Sequence, residues 1–161
     1  MAKKLAFEPQ DYAAGSIPTG FYAFAGEKGG YYAEVVGREI IANEDFPTFG
    51  YVKIHGVGNI STGGLLISLE GLRTLGFLGA KELYESLTKT DNHNLSGHYL
   101  VGSDIPEGIY EIQSLGSAYY SVNSGPIGDS EIIENDNFTG TKRIEVKNGQ
   151  YLEITKARLV N

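Results

Sequence analysis

The sequence predicts a mainly β protein: two homologous sandwich- or barrel-like modules of about six short strands each, bridged by a short helical segment. Three observations carry this. The stretch SIPTGFYAFAGEKGGYYAEV (residues 16–35) returns as DIPEGIYEIQSLGSAYYSVN (104–123). Short blocks alternate apolar and polar residues with a period of two and are separated by turn residues. Between the copies lies one segment, residues 71–89, of helical composition.

Tyr22 and Tyr110, and Tyr32 and Tyr120, each stand 88 residues apart. Ile41 and Ile133, and Phe46 and Phe138, stand 92 apart, so a four-residue insertion falls between them, in the SGPIGDS loop at 124–130. YVKI (51–54) lies over RIEV (143–146), also at 92. GLLISL (64–69) is laid over GQYLEI (149–154), which makes VGNISTG (57–63) an extra loop of the first copy. The expected divisions are 1–70, 71–97 and 98–161.

Each block reads as a strand. Tyr22 with Phe24, and Tyr110 with Ile112, share a face, as do Val52 with Ile54 and Leu152 with Ile154. In Ile-Pro-x-Gly the proline fixes φ and holds the preceding residue extended, and Gly20 or Gly108 then takes positive φ. Asn148-Gly149 is a hairpin turn signal. LGSA (115–118) is expected to be a hairpin turn because its counterpart is EKGG. In the bridge, Leu75, Leu78, Leu83 and Leu87 with Tyr84 give an apolar stripe interrupted by Gly76 and Gly79. Two short helices docked on the β units are expected.

A chain of 161 residues buries about 68–70% of its unfolded surface as one compact unit, whereas separate units of ~60 residues are marginal. The halves are therefore expected to pack on each other. With no cysteine, disulfides, thiolate metal sites and cysteine nucleophiles are excluded. The amino terminus carries Lys3 and Lys4 without a following signal-peptide apolar run, and no stretch approaches a membrane span. The expected location is the cytoplasm, or the virion if the chain is phage-encoded.

The net charge is −7. Between Lys89 and Lys142 there is no Lys or Arg, while eight acids fall there: Asp91, Asp104, Glu107, Glu111, Asp129, Glu131, Glu134 and Asp136. Such a distribution argues against nucleic acid as a direct partner. It suits a solvated face, a basic protein partner or a cation.

No catalytic constellation emerges, and no cofactor is expected. His55, His93 and His98 lack zinc spacing and are expected at the surface. No serine sits in a nucleophile elbow and no phosphate-binding loop is present. ANEDF (42–46) and ENDNF (134–138) gather oxygen donors of the kind calcium prefers, with Glu131, Glu134 and Asp136 as candidate ligands. The same residues also make turns unaided, which is the expectation here. One tyrosine of each pair, 31–32 and 119–120, must leave the core. Tyr31 and Tyr119, with Asp129, Glu131, Glu134 and Asp136, form the candidate partner surface.

The segments YLVGSDIPEGIYEIQ, YYSV, IIENDNFTG and IEVKNGQYLEITKARL resemble a small β module of Gram-positive bacteria and their phages. Residues 98–160 match its pattern throughout. Residues 12–70 match more loosely, with Ser16 in place of the motif Asp and Gly64-Leu65-Leu66-Ile67 in place of GQYL. The resemblance implies a β fold, assigns no activity, and points to relatives that are often exported.

The expected function is a non-catalytic binding or structural β-repeat protein acting through protein–protein contacts. The alternatives are a phage virion component or an inhibitor of a host protein with an acidic surface, and then a calcium- or carbohydrate-binding module. Self-association that hides a sheet edge fits the same pattern.

Overall fold

The computed structural model describes residues 5–160; Lys3, Lys4 and Asn161, which enter the expectations above, lie outside them. The chain is mainly β, in several antiparallel sheets with two short helices. The first half forms β1 (Ala6–Phe7), β2 (Gln10–Tyr12), β3 (Gly20–Ala25), β4 (Gly30–Val36), β5 (Glu39–Phe46), β6 (Phe49–Ile54), β7 (Asn59–Thr62) and β8 (Leu65–Ser68). The helices α1 (Leu69–Leu75) and α2 (Ala80–Thr88) follow. The second half forms β9 (Gly97–Leu100), β10 (Gly108–Asn123), β11 (Ile132–Phe138), β12 (Thr141–Val146) and β13 (Tyr151–Leu159). The halves thus carry eight and five strands, where about six each were expected.

Two four-stranded sheets make up the first half, ordered β1-β8-β3-β6 and β2-β7-β4-β5. The second half is one five-stranded sheet, β11-β10-β13-β9, with β12 also paired to β10. None of these described sheets closes into a barrel.

The first half has short strands where the second has long ones. At the turn from β3 into β4, Gly29 and the first residue of β4, Gly30, take φ of +73° and +157°, conformations that cost other residues dearly. At Gly64, between β7 and β8, a Cβ would stand 2.4 Å from Phe24 Cζ. In the second half the chain runs through both places. LGSA is not the expected hairpin turn: β10 continues across it as a bulge, its register to β13 shifting between Ser114 and Tyr119.

Pairing registers recur between the halves. Tyr22 faces Val52 as Tyr110 faces Ile144. Tyr32 faces Glu44 as Tyr120 faces Asp136. Glu34 faces Ile60 as Val122 faces Leu152, and Phe24 faces Leu66 as Ile112 faces Leu159. These pairs put 59–62 in the place of 151–154, so residues 57–63 are not an extra loop and GLLISL corresponds to the end of β13. The Ile-Pro-x-Gly-x-Tyr motif closes on itself in both halves. Tyr22 Oη donates to the Pro18 carbonyl at 2.8 Å, and Tyr110 Oη to that of Pro106 at 2.6 Å. Gly20 and Gly108 both take φ +152°.

One apolar core crosses the halves. It contains Ala23, Phe49, Tyr51 and Ile67 from the first, Leu72, Ala80 and Leu83 from the helices, and Tyr99, Ile112, Tyr120 and Leu152 from the second. A second cluster, around Phe24, Tyr32, Phe46 and Ile54, belongs to the first half. The two helices around a glycine turn match the expectation, but the docked face does not. Leu83 is buried, whereas Leu75, Leu78 and Leu87 are 58%, 72% and 42% exposed. Gly76 caps α1 in the left-handed conformation and ends its periodicity, so spacings counted across it do not describe one face. Leu72 and Ala80 take the places expected of Leu75 and Leu78.

The 124–130 insertion is a tie between the halves. Ile127 lies beside Val52: its carbonyl accepts from Lys53 N at 2.8 Å and its amide donates to the Tyr51 carbonyl at 3.0 Å. No helix among the described residues is long and apolar enough to cross a membrane.

Candidate functional site

Strand alternation builds one polar wall. Register places His98 opposite Glu153, Glu153 opposite Ser121, and Ser121 opposite Asn135, across β9, β13, β10 and β11. Cross-strand partners share a face. The neighbouring row, two residues along, brings Tyr151, Asn123 and Ile132 to the same side. Of these, His98, Glu153, Ser121, Tyr151, Asn123 and Ile132 line a cavity of about 210 Å³ between the halves, closed by Glu44 and Tyr51 of the first half and by the 125–130 segment. In the first half the matching row reads Asp11, Ser61, Ala33 and Asn43, so the histidine–carboxylate pair occurs in the second half only.

Glu44 reaches the cavity because it shares the inward face of β5 with the buried Ala42 and Phe46 and alternates with the exposed Asn43 and Asp45. Phe46 packs edge-on against the His98 ring at 4.9 Å. Gly50 makes room for both, since a Cβ there would lie 2.2 Å from Phe46 Cε1 and 3.1 Å from His98 Cβ. The donor atoms of Glu44, His98 and Glu153 all lie within 4.8 Å of one another. His98 Nε2 stands 3.9 Å from Glu153 Oε1, beyond hydrogen-bond range. Burial pulls the His98 imidazole down to about 4, so it is neutral at pH 7 and the pair is not an ion pair. Burial first, and then the Glu44 charge, push the Glu153 carboxyl up to about 7, against a weak hydrogen bond from Ser121. Burial raises Glu44 as well.

The histidines are thus not the surface groups expected. His98 is only 6% exposed. His93 is half-buried among the rings of Phe49, Tyr84 and Tyr99. His55 is half-buried with Nε2 2.8 Å from the Gly128 carbonyl. The packing of one half on the other covers all three, and strand alternation within one half cannot report that.

The acidic candidates lie elsewhere and do not converge. ENDNF and ANEDF are not turns but the ends of the edge strands β11 and β5. Glu134 accepts from Tyr120 Oη at 2.5 Å and Asp136 pairs with Lys142 Nζ at 3.2 Å. Glu131 is exposed, with its amide donating to Ser124 Oγ. Asp129, also exposed, stands 3.9 Å from Lys53 Nζ. Among the described residues, the grouped metal-ligand donors are Glu44, His98 and Glu153, not these acids. Tyr31 is 45% exposed and Tyr119 half-buried at the cavity, while Tyr32 and Tyr120 are in the cores. Each outer tyrosine oxygen accepts from an asparagine of the edge strand, Asn43 to Tyr31 and Asn135 to Tyr119.

Compared with protein-family models, with curated proteins and with solved structures, the chain matches none.

Proposed function

We propose that the protein is a non-catalytic binding protein, two copies of one β unit joined by α1 and α2, that acts through protein–protein contacts at the open edge of β11. The occupant is an extended, basic segment of a partner protein that adds to the sheet as a further strand.

The observation that carries this reading is the edge itself. Among the described residues β11 ends its sheet and pairs only with β10, and every residue from Ile132 to Asn137 is exposed. Its outer side therefore presents backbone donors and acceptors to an incoming strand. Open edges are commonly blunted by lysine or proline, and IIENDNF contains neither. The neighbouring edge strand β12, by contrast, carries Lys142 and Arg143. Adjacent exposed Ile132 and Ile133 supply apolar anchors. Asp129, Glu131, Glu134 and Asp136 supply the charge that steers a basic segment. The recurring registers support the two-copy reading.

The test is paired capture from an extract of the native host, with wild type and I132K/I133K as baits. Both residues are exposed, and circular dichroism checks that the variant keeps its fold. A partner held by wild type, released as salt rises past ~0.15 M and not held by the variant supports the reading. Equal capture by both baits, or self-association as the only difference between them, contradicts it.

A further inference from the structure

We propose that Glu44, His98 and Glu153 form a binding site for a first-row divalent metal ion of the zinc class, held across the two halves of the chain.

Three observations converge. The donors come from two different sheets: Glu44 from β5, His98 and Glu153 from the facing pair β9 and β13. They point into one cavity and lie within 4.8 Å of one another. A tetrahedral ion bound at about 2.0–2.2 Å spaces its ligands by about 3.4 Å, so rotation of the two glutamate side chains closes the set.

His98 is the second, independent indication. Its side chain is over nine-tenths buried and it lines the cavity, yet neither ring nitrogen makes a hydrogen bond among the described residues. The fully buried side-chain atom without a partner among the described residues is Tyr32 Oη, so the His98 nitrogens stay open to the cavity, whereas His93 and His55 each place Nε2 on a backbone carbonyl. His98 has instead two carboxylates in front of it. Moreover, no Lys or Arg lines the cavity to offset those carboxylates. A dication supplies the missing charge and gives the imidazole its partner.

The donor set selects the class of ion. Calcium takes six to eight oxygens, whereas one imidazole with two carboxylates suits zinc and its neighbours. Three protein ligands would leave a fourth position for a water or a ligand oxygen. Nothing in the spacing of 44, 98 and 153 reveals the set.

Titration calorimetry of the untagged full chain with zinc chloride, alongside the imidazole resonances by NMR, tests the proposal. Saturable one-to-one binding is expected, with a shift of the His98 ring signals and not those of His55 or His93. E44Q and E153Q, close in volume to the native residues, should each weaken zinc beyond the roughly 10–100-fold that loss of a merely supporting contact costs. E131Q/D136N, on the exposed edge, should leave zinc affinity unchanged. The NMR measurement needs no variant, so a misfolded substitution does not blunt the test. No saturable binding up to millimolar zinc, or zinc that moves His55 or His93 while His98 stays put, overturns the proposal. Undiminished affinity in folded E44Q and E153Q overturns it too.

Discussion

Tyr51 Oη donates a hydrogen bond of 2.7 Å to Asp104 Oδ2. The same oxygen accepts the Ala80 amide at 2.7 Å, and Asp104 Oδ1 accepts the Lys81 amide at 3.0 Å. Helix α2 has Gly79 at its N-cap and no side-chain cap of its own. Its first free amides are instead satisfied by a tyrosine of the first half and an aspartate of the second. Asp104 is the residue before Ile-Pro in the second motif, and the first motif has Ser16 there. One carboxylate thereby joins both halves and the helix between them.

Tyr51→Phe removes a donor and an acceptor from a buried network, leaving the Ala80 amide unpartnered. The expected cost is about 1–3 kcal/mol, read from the urea midpoint. An unchanged midpoint would show that the cap carries no stability.

Burial raises the Asp104 carboxyl to about 6, against the lowering effect of its hydrogen bonds, from an ordinary 3.8. Between these values the folded state holds more protons than the unfolded one, so this group's contribution falls as pH rises. Wild type should lose stability relative to Asp104→Asn as pH rises from about 4 to 7. The difference between the two should level off above that window. A difference that is flat with pH, or that slopes the other way, refutes the assignment.

Leu83→Asp places an unpaired carboxylate in the shared core and should cost several kcal/mol, comparable with the whole stability of a domain. Leu78→Asp, at an exposed position, should leave the melting temperature nearly unchanged. Calorimetry should show one transition in each protein, because one core spans both halves. Two separated transitions would show that the halves unfold independently.

Gly50→Ala puts a methyl group against Phe46 and His98. Overpacking of this kind costs about 1–3 kcal/mol, measurable by urea unfolding. Gly76→Ala meets no neighbour but must adopt φ +84°, so its penalty is conformational and comes without disturbing the His98 ring signals.

What was legible in the sequence was local. Period-two alternation located Tyr22, Tyr110, Val52 and Leu152, and the Ile-Pro-x-Gly signal correctly placed Gly20 and Gly108 at positive φ. Whether a strand stops or bends was not legible, because LGSA carries the glycine of a turn and the backbone resolves it as a bulge. The leucine stripe misled for a related reason: Gly76 breaks the helix on which such counting depends. The cavity was out of reach altogether. Glu44, His98 and Glu153 are brought together by one half packing on the other, and a histidine five residues from another gives no hint of a glutamate fifty-five residues on. A signal did exist in Asp104, the motif residue that one copy has and the other lacks.

Hydrogen exchange of the complex with the captured partner reads the added strand itself, which must bond to the backbone of the edge it joins. Amide exchange is expected to slow across Ile132–Phe138 on binding while the corresponding edge Glu39–Phe46 is unaffected. Unchanged exchange in Ile132–Phe138, with protection appearing on another surface, would contradict it.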